Sequence, residues 1–184
     1  MTSSPFLAAS EAWVFGYGSL IFRAEFPFVE RKIARLYGFS RRFWQSSPDH
    51  RGTPEAPGRV VTLIESPASS VLGVAYRIAR EQSYAVLAEL DQRERAGYER
   101  ALADIEFTEA PHGRARAWVY QARAENPGFV AHADDESIAQ IVRSARGPSG
   151  DNAGYVRRLS QALRELGEDD PHVFAIERLL DETR

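Results

Sequence analysis

The sequence predicts an α+β fold whose strands form an antiparallel sheet or a small barrel. Two observations lead there. About six extended runs rich in β-branched and aromatic residues come first, and the last third of the chain carries apolar residues at helical spacing.

The elements follow in order. Residues 1–12, mostly Ser and Ala with one proline, read as a flexible lead-in to a single domain over residues 13–184. Trp13–Tyr17 is a short apolar run with the shape of a buried strand. Further extended segments fall at roughly Ala34–Gln45, Arg59–Glu65 and Ser70–Ile78, each bounded by Gly, Pro or Ser. Pro48–Gly58 is dense in Gly and Pro and reads as a loop. Arg80–Ala96 has helix character, with Gly97 where a C-cap glycine belongs. Ala101–Thr108 and Ala115–Gln121 are two more strands, separated by the hairpin-like Pro111-His112-Gly113. Beyond them, Ile138, Ile141, Val142 and Ala145 form one helical stripe. Tyr155, Leu159, Leu163 and Leu166 form a second, and Val173, Ile176 and Leu180 a third. Gly147-Pro148-Ser149-Gly150 separates the first two.

Composition narrows the function. The chain has 184 residues, enough for one domain with a real core. A net charge of −3 with scattered basic residues gives no reason to expect nucleic acid. Lys32 is the single lysine among 23 basic residues. There is no cysteine, which excludes a thiolate nucleophile, a disulfide framework and a Cys-ligated metal. The four histidines lie far apart, and no pair has metal-ligand spacing. No apolar run is long enough to span a membrane, and residues 1–12 lack a secretory pattern. A soluble, cytoplasmic protein is expected.

Chemistry concentrates first in Trp-Val-Phe-Gly-Tyr-Gly-Ser-Leu, residues 13–20, where a strand breaks into a loop of Gly16, Gly18 and Ser19. Glycines there let backbone approach a ligand and aim N–H groups at a small anion or a developing oxyanion. A β-branched residue at Gly18 would block that approach and disfavour positive φ. The spacing is neither the dinucleotide fingerprint nor the Walker A loop, and a tight turn is the other reading.

Glu94 is the second candidate. Leu87, Leu90 and Glu94 stand at i, i+3 and i+7 on one face of the 80–96 helix. A carboxylate on an inward face is either paired, for instance with Arg93, or put to use as an acid/base of raised pKa. Asp91 lies nearby on the wheel, but its expected role is an i,i+4 partner for Arg95. Tyr98 reads as a core or rim aromatic. Gln45 alone in Arg41-Arg42-Phe43-Trp44-Gln45 could point an amide into a cleft. Asp49-His50-Arg51 sits in a charged, solvated loop, and Tyr155 opens an apolar stripe, so core packing is its default.

Several segments together carry a resemblance. They are Val14–Ile21, Arg41–Gln45, Asp49-His50-Arg51-Gly52, Pro57–Leu63 and Gly73-Val74-Ala75-Tyr76-Arg77. Leu90-Asp91-Gln92-Arg93-Glu94 with Gly97-Tyr98, and Gly147–Gly150 with Asn152 and Tyr155, follow in the same order. The chain resembles the ChaC-type, glutathione-specific γ-glutamylcyclotransferases over about residues 13–180. Phe22 and Arg95-Ala96 depart from the family pattern, which has Trp after Tyr-Gly-Ser-Leu-Ile and Lys-Gly before the Gly-Tyr pair. The resemblance implies the cyclotransferase fold, a small mixed or antiparallel barrel with flanking helices. It implies cleavage of glutathione to 5-oxoproline and cysteinylglycine without metal or organic cofactor. It further implies Glu94 as acid/base, and Val14, Phe15, Gly16, Tyr17, Gly18, Ser19 and Leu20 as the γ-glutamyl loop, with Tyr155 at the site. Gln45 and Arg51 join them as substrate-binding candidates, and Arg51 or Arg59 could meet a glycine carboxylate unless each pairs with Asp49 or Glu55. The expected partner is this small molecule, with no nucleic acid and no membrane, as monomer or homodimer. A cyclotransferase for other γ-glutamyl compounds and a non-catalytic γ-glutamyl-binding module stay open.

Overall fold

Five strands close into a mixed barrel in a computed structural model that describes residues 12–94 and 97–182. In chain order they are β1 (Ala12–Gly16), β2 (Glu30–Ser47), β3 (Gly58–Ile78), β4 (Tyr98–Phe107) and β5 (Gly113–Ala122). Their order around the barrel is β1-β3-β2-β4-β5. All pairs are antiparallel except β1 with β5, where Trp13 faces Ala117 and Val14 faces Trp118 in parallel. That parallel seam closes the barrel and removes the sheet edges. Of the expected lead-in, residues 1–11 lie outside the described residues, and Ala12 already pairs with Ile78.

Three differences from the expected elements have local causes. The runs at 59–65 and 70–78 are one strand, β3, continuous through Pro67. Pro67 sits where the β2–β3 register breaks between Tyr37/Ser70 and Phe39/Glu65, so its missing N–H costs no ladder bond. Gly38, at φ +83°, supplies the left-handed residue for that irregularity. The first helix, α1 (Arg80–Arg93), is shorter than expected, and Glu94 is its C-cap. Gly97 (φ +94°) instead turns the chain into β4.

The later helices follow their stripes. They are α2 (Asp135–Ser144), α3 (Asn152–Leu166) and α4 (Pro171–Asp181), with a small hairpin, β6 (Arg146–Gly147) and β7 (Gly150–Asp151), between the first two. Each begins on an aspartate cap: Asp134 accepts from Ser137 N–H, Asp151 from Gly154 N–H and Asp170 from Val173 N–H. Ile138, Val142, Leu159, Leu163 and Ile176 are buried completely against the barrel. Among the described residues, no helix is long and apolar enough to cross a membrane.

Along β2, Arg41, Phe43, Gln45 and Ser47 all point inward. Arg41 is one of the largest fully buried side chains in the protein. Its Nε donates to the Tyr17 carbonyl at 2.7 Å, Nη2 to the Leu72 carbonyl at 2.7 Å, and Nη1 to the Asp170 carboxylate at 2.5 Å. One side chain thereby ties the segment leaving β1 to the cap of α4.

Candidate active site

The strand β1 ends in a glycine loop because nothing larger fits. A Cβ on Gly16 would lie 2.5 Å from Leu20 Cβ, and one on Gly18 would lie 2.9 Å from Val61 Cγ2 and 3.3 Å from the Tyr155 hydroxyl. Gly18 has φ −122°, so close approach and not a positive φ explains it, contrary to the sequence expectation. A single 3-10 turn, Ser19–Ile21, follows. Its first backbone bond runs from Ile21 N–H to the Gly18 carbonyl at 3.0 Å. Among the described residues this leaves the N–H groups of Gly18 and Ser19 outside the turn's own bonding. Arg41 holds the preceding carbonyl, and the Tyr17 hydroxyl donates to the Tyr120 carbonyl at 2.6 Å.

The loop lines a cavity of about 360 Å³. Of the sequence candidates, Phe15, Gly16, Tyr17, Gly18, Ser19, Leu20, Arg51, Glu94 and Tyr155 line it. Val14 does not; it is wholly buried in the barrel core. Gln45 does not either: its Oε1 accepts from Asn126 Nδ2 at 3.0 Å, so its amide is matched to another amide outside the cavity. Arg59 is also absent from the lining. Its backbone N–H and carbonyl are both bonded by the Asn152 side chain, at 2.7 and 2.8 Å.

Glu94 reaches the cavity from the end of α1, its N–H still bonded to the Leu90 carbonyl at 2.9 Å. The side chain is about one-fifth exposed, and Arg93 Nε lies 3.4 Å from Oε1. Burial pushes this carboxyl above the ordinary glutamate range, Arg93 and His50 pull it back, and Asp49 adds a smaller upward push. The two sequence readings, paired with Arg93 and poised as a base, thus coexist. Asp91 is engaged elsewhere, accepting from the Tyr120 hydroxyl at 2.7 Å and pairing with Arg100 at 3.1 Å. Its expected partner Arg95 lies outside the described residues.

Three tyrosines lie around Glu94. Burial raises the hydroxyls of Tyr17 and Tyr98 well above the usual phenol and pushes Tyr155 up to about 12. They stay neutral donors, as Tyr98 does toward the Val61 carbonyl at 2.6 Å. Arg51 stacks over the Tyr155 ring at 5.1 Å and donates to the Ser149 carbonyl at 2.5 Å. Ser149 N–H in turn bonds the His50 carbonyl at 3.0 Å. The Gly147–Gly150 segment and the 48–57 loop are therefore clasped together, and the charged loop forms part of the cavity wall. Asp49, His50, Arg93 and Tyr98 also line it, where sequence reasoning gave Asp49 and His50 to a solvated loop, Arg93 to a salt bridge with Glu94 and Tyr98 to the core or rim. The available signal was adjacency: Arg93 and Tyr98 flank Glu94, and Asp49 and His50 flank Arg51. Among the described residues, no group of three or more His, Cys, Asp or Glu is placed to hold a metal.

This geometry can deprotonate a bound amine at Glu94 and receive negative charge at backbone N–H groups. Gly18→Val is expected to lower kcat/KM by about tenfold or more, since its side chain would collide with Val61 and the Tyr155 hydroxyl and displace the N–H it still carries, and an oxyanion-type donor removed outright costs about 10²–10³ elsewhere. Ser19→Ala is expected to cost less. Steady-state assay of both folded variants checks this; equal tolerance would make the loop structural.

Comparison with known proteins adds an independent line. A family model described as ChaC-like protein matches residues 12–183. The human glutathione-specific gamma-glutamylcyclotransferase 1 is 38% identical over 168 residues, covering 89% of this chain and 76% of its own. The glutathione-specific gamma-glutamylcyclotransferase of Saccharomyces cerevisiae is 33% identical over 202 residues, covering 85% and 87%. A crystal structure of a yeast gamma-glutamyl cyclotransferase specific to glutathione superposes with TM-score 0.88 at 28% identity, over 96% of this chain and 98% of that one.

Proposed function

The chain belongs to the ChaC-like protein family, and from that premise we propose that it cleaves the γ-glutamyl bond of reduced glutathione, releasing 5-oxoproline and L-cysteinylglycine. The observation that carries this reading is a largely buried carboxylate, Glu94, in one cavity with the Gly16–Leu20 loop.

The chemistry runs without an enzyme nucleophile. Glu94 takes a proton from the substrate's α-ammonium, and the freed amine attacks its own γ-carbonyl carbon. Closing a five-membered ring is intramolecular, so holding the γ-glutamyl chain folded supplies much of the rate. Negative charge gathers on the carbonyl oxygen, where the N–H groups of Gly18 and Ser19 can receive it. The intermediate collapses by breaking the γ-amide C–N bond as protonated Glu94 gives its proton to the leaving cysteinyl nitrogen; Glu94, ionised again, then takes the second proton from the ring nitrogen, which becomes the lactam N–H, and passes it to the released amine. The tyrosines around Glu94 exclude water and stay neutral throughout.

Arg51 supports a tripeptide in preference to a dipeptide, because its guanidinium meets the cavity and forms no ion pair with Asp49 or Glu55 among the described residues. A charge-assisted contact to the glycine carboxylate is worth about 1.5–3 kcal/mol. We expect kcat/KM for glutathione to exceed that for γ-glutamyl-cysteine by about tenfold or more, which follows from that energy. Product release from both substrates, with γ-glutamyl-alanine as a third, tests it. Similar values would make the protein a general γ-glutamyl cyclotransferase, and binding without turnover of any of them would make it a binding module.

A further inference from the structure

Arg93 closes α1, and each nitrogen of its guanidinium reaches a different part of the cavity wall. Nε lies 3.4 Å from Glu94 Oε1, Nη2 donates to Ser19 Oγ at 2.8 Å, and Nη1 lies 3.8 Å from Glu25 Oε2. The side chain is only a quarter exposed. A guanidinium serving structure alone has no need to touch both the carboxylate that moves the proton and the turn that meets the developing charge. Glu25 is half exposed and at the limit of an ion pair, so it adds little.

We propose that Arg93 is a positioning residue, whose fork grips Glu94 Oε1 and Ser19 Oγ together and so sets the base against the Gly18–Ser19 turn. The inference rests on the functional reading above. The grip leaves Glu94 Oε2 for the substrate amine and spares Ser19 from carrying chemistry itself. It has an electrostatic consequence too. The groups facing Glu94 are Arg93, His50, Asp49 and the hydroxyls of Tyr17, Tyr98 and Tyr155. The tyrosines are neutral, Asp49 is repulsive, and His50 is a cation only when protonated. Arg93 is thus the one permanent cation among the described groups facing the base, against a burial that favours the neutral acid.

The pH dependence of kcat/KM for glutathione tests this in the wild type, Arg93→Gln, Arg93→Lys and Arg164→Gln. The last removes an exposed charge that pairs with Glu177, far from the cavity lining. Activity rises with pH as Glu94 deprotonates. Arg93→Gln should move that rising limb to higher pH by about half a unit or more and lower the plateau kcat about tenfold, as expected for lost positioning. Arg93→Lys should restore the limb but not the plateau, because an ammonium cannot span both partners. It carries the test alone if the Gln variant fails to fold. An unmoved limb in Arg93→Gln, an equal shift in Arg164→Gln, or wild-type kcat in Arg93→Lys overturns the proposal. A wild type that turns over no γ-glutamyl substrate overturns the functional reading instead.

Discussion

Glu94→Gln is expected to leave the protein folded and binding substrate while abolishing turnover. Gln matches the carboxylate in shape but cannot accept the ammonium proton, and a general acid–base group contributes about 10²–10⁴-fold. Stability should not suffer, and the sign can be worked out. Burial raises the folded-state pKa of Glu94 above its unfolded value. The folded protein then binds more protons than the unfolded chain between those two values, so this group costs stability as pH rises through them. A neutral Gln removes that cost. It loses only a 3.4 Å ion pair that is partly exposed. At pH 7–8 the variant's Tm should therefore equal or slightly exceed that of the wild type. The wild-type kcat/KM profile should rise with pH through a limb above the ordinary glutamate range, and the variant should show none. Residual activity above about a tenth of wild type would remove Glu94 from the role of base.

What sequence alone could reveal depended on whether the deciding interaction was local. The stripes of α2, α3 and α4 are written within a few residues, and they were legible; their caps Asp134, Asp151 and Asp170 are equally local but went unread. So was the inward direction of Glu94, which the Leu87–Leu90 spacing sets even though the residue caps α1 instead of lying within it. The strand pattern left a sheet and a barrel both open, and only the family resemblance pointed to a mixed barrel, because Trp13 meets Ala117 across about a hundred residues of chain with no periodicity to announce it. Pro67 read as a strand break because its tolerance depends on the unpaired stretch opposite Gly38. The site divides in the same way. Gly16 and Gly18 signal close approach by being glycine. Asp49 and His50 look like solvated charges, and Arg93 like no more than a partner for Glu94, until the 48–57 loop, the Gly147–Gly150 segment and the end of α1 meet around the cavity. Gln45 failed in the opposite direction: its inward orientation was read from strand alternation, but its partner Asn126 could not be.

The largest effect on stability is expected at Arg41, which strand alternation alone would make an ordinary polar position. Arg41→Met is close in volume and keeps apolar packing, but it strips three partners at once. Asp170, itself nearly buried, loses its counter-charge, and the carbonyls of Tyr17 and Leu72 lose their donors. Breaking one side of a buried pair costs about 3–5 kcal/mol because the other charge stays behind. Against a total stability of about 5–15 kcal/mol for a domain, that is a large fraction. In urea the midpoint should fall with the slope unchanged. Removing the stranded charge as well, in Arg41→Met with Asp170→Asn, should recover part of the loss, and the cycle should give a coupling of about 1 kcal/mol or more. Asn can still accept from Val173 N–H, so the α4 cap survives in that background. The same substitution reaches the cavity, because the Tyr17 carbonyl that Arg41 holds belongs to the peptide whose N–H is Gly18's. Folded Arg41→Met, assayed in the cold, should therefore lose kcat more than it raises KM, since a loosened oxyanion donor weakens the transition state and not the ground state. A loss under about 1 kcal/mol with unchanged kcat would show instead that the barrel holds this loop without its buried guanidinium.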